Sequence, residues 1–196
     1  WFNLGLKNRR GQDWRPNRAL STSLLLKMLG KANEKSKDSK TKSERHRWLV
    51  FLAYTVVCYV TSLRGVEGFL LDLDGLNRYW EPDRNDYIVI ALLGKIKGES
   101  NDAAHLIPCV PITSSGINVR EIIGRLIKEK ATLGLKDGPA ISNNVGKLIE
   151  SSEIDEMLIE LLLSCYREDK SFSPGDIDTE EKLSALLYNI NKFMVK

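Results

Sequence analysis

From Trp48 to Val60 the chain is apolar almost without interruption, W-L-V-F-L-A-Y-T-V-V-C-Y-V. Its β-branched residues (Val56, Val57, Val60) would suit a strand. Its length and its lack of turn residues predict instead a mostly buried helix over Arg45 to Thr61. Upstream, Leu20, Leu24, Leu25 and Met28 fall on one face at helical spacing, which predicts a helix from Arg18 to Ala32 after Pro16-Asn17. Between the two, Asn33 to Glu44 (N-E-K-S-K-D-S-K-T-K-S-E) has the Lys/Ser-rich composition of a flexible loop.

After Thr61 the pattern shortens. Ser62 is placed to cap a short helix over Leu63 to Leu71 with Glu67 in its early turns, and the run from Asp72 to Asn77 reads as a break. Tyr87 to Leu93 (Y-I-V-I-A-L-L) has the branching and length of a strand. His105 to Ile112 (H-L-I-P-C-V-P-I) reads as a second strand, whose two prolines put it at an edge or near an end. Tyr79-Trp80 is a candidate third strand. The polar hairpin loop between the main two carries Lys95 and Lys97.

From Ile117 onward the periodicity is helical. Ile122, Ile123, Leu126 and Ile127 mark a helix over Val119 to Leu133, closed by Asp137-Gly138-Pro139. Short helical character is expected over Val145 to Glu150, and a helix over Ile154 to Tyr166. A Pro/Gly loop follows over Ser171 to Thr179, then a last helix over Glu180 to Lys196 with Leu183, Leu186, Leu187 and Ile190 inward. The expected class is mainly α with a small antiparallel β-sheet (α+β). Residues 1–17 form a basic lead-in and residues 18–196 one domain, with 33–44 as its flexible loop.

Composition narrows the classes. At 196 residues and 42% hydrophobic content the chain suits one globular domain or a domain with an arm. It opens on Trp1 rather than Met, as a piece of a longer protein would. The apolar run is too short and too closely flanked by charge to span a bilayer, which takes roughly 20 apolar residues. No signal peptide is visible. Cys58, Cys109 and Cys165 are far apart, each within an apolar run, and read as buried thiols of a reducing compartment.

Net charge is +3, unevenly spread. Residues 1–48 hold 13 Lys+Arg against 4 Asp+Glu, or +9; residues 150–181 hold 2 against 11, or −9. Such asymmetry suits a basic face toward a polyanion and an acidic region toward water or a basic partner. Arg9, Arg10, Arg15 and Arg18, interleaved with Trp1, Phe2 and Trp14, are candidate DNA contacts, and Arg45 and Arg47 are counted with them. The same lead-in also fits a solvated tail.

Three further groupings carry chemistry. Arg64 with Glu67 reads as a phosphate-binding guanidinium beside an orienting carboxylate, or as an ordinary ion pair at a helix start. Lys95 and Lys97 read as a hairpin tip reaching over a substrate, one of them a general acid, or as lysines populating an exposed turn. Asp72 and Asp74 beside Gly75 could hold a metal or make a turn. There is no G-x-S-x-G, no Gly-rich phosphate loop and no paired-Cys motif.

The order of these motifs resembles the catalytic domain of tyrosine recombinases, the phage-integrase family. Their first box, T-G-L-R-x-x-E-L, is matched by Thr61, Leu63, Arg64 and Glu67, with Ser62 in place of the usual Gly. Their lysine hairpin, written G-K or G-R-x-K, is similar to Gly94-Lys95-Ile96-Lys97. L-L-G-K-I-K-G-E followed by H-L-I-P resembles recombinase-like domains of eukaryotic mobile elements. The resemblance covers roughly Arg18 to Ile112.

It implies DNA as partner, breaking and rejoining of DNA strands (site-specific recombination or integration), and a homo-oligomer on DNA. It also implies an intracellular, in eukaryotes nuclear, location, with no cofactor, no metal and no membrane. A tyrosine would form a 3′-phosphotyrosyl link. Arg64 would be the first catalytic arginine, Glu67 its supporting neighbour, and Lys97 (alternately Lys95) the acid for the 5′-oxygen. The second box, H-x-x-R, is not in the chain: His46 is followed by R-W-L and His105 by L-I-P. Tyr188 precedes its expected place and is not assigned as nucleophile. The expectation is therefore a domain that stops or degenerates before the second half of the site and binds DNA without turnover. A helical protein-interaction module, or a domesticated DNA-binding remnant, stands as the alternative.

Overall fold

The computed structural model describes residues 22–61, 63, 65–80, 87–93 and 104–168. The lead-in, Arg64, the hairpin loop with Lys95 and Lys97, the Ser171–Thr179 loop and the Glu180–Lys196 segment lie outside the described residues. The chain divides into two compact units, one of residues 1–31 and 151–196, the other of residues 32–150.

The first unit holds the opening part of helix α1 (Thr22–Asp38) and helix α6 (Ser151–Glu168). Leu24, Leu25, Met28 and Leu29 are buried on α1 at the spacing read from sequence; Ile154, Met157, Leu158, Leu161, Leu162 and Cys165 are buried on α6. The Lys31 ammonium pairs with Glu168.

The second unit is built around α2 (Lys42–Thr61). Every residue from Trp48 to Cys58 is buried, as expected of a helix that is apolar all round. It packs against α5 (Val119–Thr132), the single-turn α3 (Gly65–Gly68) and strand β2 (Ala104–Cys109). Strand β1 (Ile88–Leu93) pairs antiparallel with β2, Ile88 opposite Cys109 and Leu93 opposite Ala104. Helix α4 (Leu73–Tyr79) packs on β1 and α5. The molecule is thus mainly helical with a small two-stranded antiparallel sheet.

The ladder continues past β1 as single bridges. Leu71 pairs with Leu92, and Asp72 N–H donates to the Ala91 carbonyl at 3.0 Å. On its far side Asp72 pairs with Pro139, while Leu73 N–H donates to the Gly138 carbonyl and Ala140 N–H to the Leu71 carbonyl, each at 2.9 Å. The lateral order is β2, β1, Leu71–Asp72, Pro139. Pro108 sits in β2, which has no further strand beside it among the described residues, as its missing N–H requires.

Five local expectations differ. The helix expected over Leu63–Leu71 is only the single turn α3, because the chain turns at Phe69–Leu70 and Leu71 bridges to Leu92. Residues 33–38 are helical and belong to α1, leaving only 39–41 between helices. Tertiary contacts stabilise the polar sequence there. The Arg125 guanidinium donates to Asn33 Oδ1 and Ser36 Oγ, both at 2.7 Å, Lys35 lies 4.8 Å over the Trp48 ring, and Thr41 Oγ1 caps α2 by accepting from Glu44 N–H. The Asp72–Asn77 run starts a helix rather than breaking one, because the Asp72 carboxylate accepts from Gly75 N–H as N-cap. Tyr79 therefore ends α4, and Leu71–Asp72 take the place beside β1 expected for Tyr79-Trp80. Val145–Glu150 is not a helix; Ser142 pairs with Leu148 across a turn in which Asn143 Oδ1 accepts from Val145 and Lys147 N–H and Gly146 has φ +84°.

Candidate functional site

The segment following Thr61 is fastened to α2 by side chains that α2 supplies. The Tyr54 hydroxyl donates to the Gly65 carbonyl at 2.9 Å, and its ring meets Phe69 at a centroid distance of 4.9 Å. Gly68 allows the closest approach. A Cβ there would stand 2.5 Å from Cys58 Sγ and 2.8 Å from Tyr54 Cε2, so only glycine lets α3 lie this near α2.

Glu67 is 8% exposed, turned into this region rather than out to water. Burial pushes the Cys58 thiol up to about 12, and the Glu67 charge adds to the rise, which makes Cys58 a packed thiol and not a nucleophile. From Glu67 the chain turns through Leu70 N–H to the Glu67 carbonyl at 3.0 Å and reaches Leu71 beside Leu92. Leu93 ends β1, and Gly94-Lys95-Ile96-Lys97 follow at once in sequence. The Leu71–Leu92 bridge therefore joins the chain four residues after Glu67 to the last part of β1.

Of the residues singled out from sequence for the site, Glu67, Arg45, Arg47, Asp72 and Asp74 are described. Arg45 and Arg47 are half-buried on α2, and Arg45 donates to the Ser39 carbonyl at 2.7 Å, closing the turn between α1 and α2. Arg64, Lys95, Lys97, Arg9, Arg10, Arg15 and Arg18 lie outside the described residues. Asp72 is a helix cap and Asp74 forms a surface pair with Arg78 at 2.9 Å. Among the described residues no group of three or more His, Cys, Asp or Glu side chains could hold a metal ion, and no helix is long and apolar enough to cross a membrane.

A second cluster was not singled out from sequence. Lys130, in the last turn of α5, is 0% exposed. Its ammonium donates to the Ser142 carbonyl at 2.6 Å, to Ser142 Oγ at 2.7 Å and to the Asn143 carbonyl at 3.4 Å, and lies 3.3 Å from His46 Nε2. Ser142 Oγ in turn donates to the Pro139 carbonyl at 2.6 Å. His46 Nδ1 faces Glu129 Oε1 at 3.7 Å. Burial lowers the Lys130 ammonium to about 8, Glu129 opposing, and burial followed by the Lys130 charge lowers His46 below its usual 6.5. The Ser142 hydroxyl is buried and spends its proton on Pro139, so the Lys–Ser pair is a fastening and not a nucleophile with its base. Its signature is present in the sequence: Lys130 extends the Val119, Ile122, Ile123, Leu126 stripe by one helical turn, which places a cation on the face that is buried.

No protein-family model, no curated protein and no solved structure matches the chain.

Proposed function

We propose that this chain is a DNA-binding domain of the tyrosine-recombinase type, with Arg64, Glu67 and Lys97 acting at one phosphodiester. The observation that carries the reading is the Leu71–Leu92 bridge with the Asp72 to Ala91 hydrogen bond, which ties the arginine-bearing segment to the strand that leads into the lysine hairpin. Two segments remote in sequence and each basic are useful together only where one anion meets both. A phosphate is the anion that suits a guanidinium.

In this reading Arg64 neutralises charge developing on the phosphoryl oxygens and Lys97 donates a proton to the departing 5′-oxygen. Glu67, buried at the foot of the arginine turn, orients Arg64. Residues 1–196 contain no H-x-x-R, so the activity proposed for them is binding. Cleavage and rejoining require a protein that supplies that box and a tyrosine.

The test is a mobility-shift titration of duplex DNA at roughly 50 and 200 mM salt, where phosphate contacts release counterions and affinity falls steeply. Arg64→Ala and Lys97→Ala should each weaken binding about tenfold, about 1.4 kcal/mol of lost contact, with a modest loss of stability for Arg64→Ala and none for Lys97→Ala. Salt-independent affinity, or an Arg64→Ala variant that binds DNA as the parent does, would leave the helical protein-interaction module, which the exposed Leu106, Val110 and Ile112 favour.

A further inference from the structure

Lys130 is not merely buried; it stands at one end of a chain of contacts that runs to the proposed DNA-binding segment. The ammonium donates to Ser142 Oγ, Ser142 Oγ donates to the Pro139 carbonyl, and Pro139 pairs with Asp72. Flanking that pair, Leu73 N–H to Gly138 and Ala140 N–H to Leu71 hold the 138–140 segment against Leu71–Leu73, four residues past Glu67. The Lys130 backbone serves the same turn: α5 closes with Gly134 N–H donating to the Ala131 carbonyl and Leu135 N–H to the Lys130 carbonyl, with Gly134 at φ +78°.

We propose that Lys130 and His46 are positioning residues for Leu71–Leu73, the stretch that follows Glu67: with Lys130 an ammonium and His46 a neutral imidazole the cluster holds residues 138–142 in place, and a proton added to His46 releases them. The functional half of this inference rests on the recombinase reading; the release does not.

The geometry gives the sign. His46 Nε2 lies 3.1 Å from the Ser142 carbonyl, which can only accept, as well as 3.3 Å from the ammonium, so in the neutral ring Nε2–H donates to Ser142 and the bare Nδ1 faces Glu129 Oε1 at 3.7 Å. A proton added to Nδ1 would make the ring an imidazolium whose Nε2 stands 3.3 Å from the ammonium, two buried cations side by side. The charges that act on His46 are those of Lys130 and Glu129, both from α5; the 139–143 segment contributes the Ser142 and Asn143 carbonyls and no charge; and on α2 the adjacent Arg45 is engaged with Ser39. The Glu129 side chain is 38% exposed and 3.7 Å away, too distant and too wet to offset the repulsion in full. Relief is nearest through the 136–148 turn, whose Lys136, Lys147 and Leu148 already face water. A group whose folded value is lowered binds its proton better in the open state, so opening is favoured as pH falls below the ordinary 6.5 of histidine.

The experiment is amide hydrogen exchange of the full chain at about pH 7.5 and about pH 5.5, read as protection factors, with duplex DNA affinity measured in the same buffers. Protection of the Leu73 and Ala140 amides should fall up to about tenfold more than that of Leu126 and Val57, the most that one pH unit below the histidine value supplies. His46→Gln, which keeps a donor for the Ser142 carbonyl and cannot titrate, should abolish the difference. Lys130→Met, which removes the opposing charge but not the burial, should reduce it. Equal loss at all four amides, or a loss that survives in His46→Gln, overturns the release. DNA affinity should fall with the Leu73 and Ala140 protection in the parent and hold in His46→Gln; affinity indifferent to opening overturns the positioning role. Absence of DNA binding at both pH values removes the recombinase reading and the positioning role with it, while the exchange result still decides the release.

Discussion

The Lys130 ammonium lies 2.7 Å from Ser142 Oγ and 2.6 Å from the Ser142 carbonyl, with both residues buried. A charge so placed is tolerated because every proton it carries has an acceptor; taking the donor away leaves those acceptors dry. Lys130→Ala should therefore cost about 3 kcal/mol, combining unsatisfied carbonyls with a cavity. Urea denaturation followed by circular dichroism gives the value; a loss under about 1 kcal/mol would mean that the cluster is loosely held.

The same ammonium fixes an alkaline dependence. Its folded value is about 8 against an ordinary 10.5, so between those values the unfolded chain binds more protons than the folded one. Stability from this group is depressed below pH 8 and recovers as pH rises toward 10.5, by about 3 kcal/mol at most. Other groups titrate in that range, so the quantity to measure is the parent minus Lys130→Met, from urea melts between about pH 7.5 and pH 10. A flat difference would contradict a buried charged lysine.

Gly68 is a packing position. Its Cβ would stand 2.5 Å from Cys58 Sγ and 2.8 Å from Tyr54 Cε2, so Gly68→Ala should destabilise the fold by about 2 kcal/mol as α3 is pushed off α2. Gly30, exposed in the interior of α1 with nothing within 4 Å of a built Cβ, should behave oppositely. Gly30→Ala should stabilise by up to about 1 kcal/mol through helix propensity. Thermal midpoints of the two variants, moving in opposite directions, check both at once.

Arg125 holds the end of α1. Its two bonds of 2.7 Å to Asn33 and Ser36 order a stretch whose composition alone reads as loop. Arg125→Met, which keeps the aliphatic stem, should cost about 2 kcal/mol and raise exchange of the amides over 33–38 above that of 24–29. Uniform protection along α1 would show that the helix does not need the arginine.

How much was legible from sequence depends on the range of the cause. The α2 helix was, because thirteen apolar residues in succession from Trp48 to Val60 leave it no stable place but the core. So were β1, β2 and α5, since the branching and length of the strands and the 3.6 period of the helix are local properties of the chain. The α1 terminus was misread because Asn33 and Ser36 are ordered by an arginine about ninety residues away in sequence. The Asp72 run was misread because the same aspartate serves a turn or a helix cap, and the partner strand decides between them.

The candidate site divides on the same line. The sequence by itself determined which side chains could meet a phosphate, Arg64, Lys95 and Lys97, and that a carboxylate stands three residues from the arginine, since residue type and spacing set that chemistry. Tertiary structure alone decided that Leu71 lies against Leu92, and that Lys130, His46 and Ser142 form one buried cluster. Such contacts bring together residues 12 to 96 positions apart. Their energy comes from excluding water around paired polar groups, a condition that no local pattern encodes.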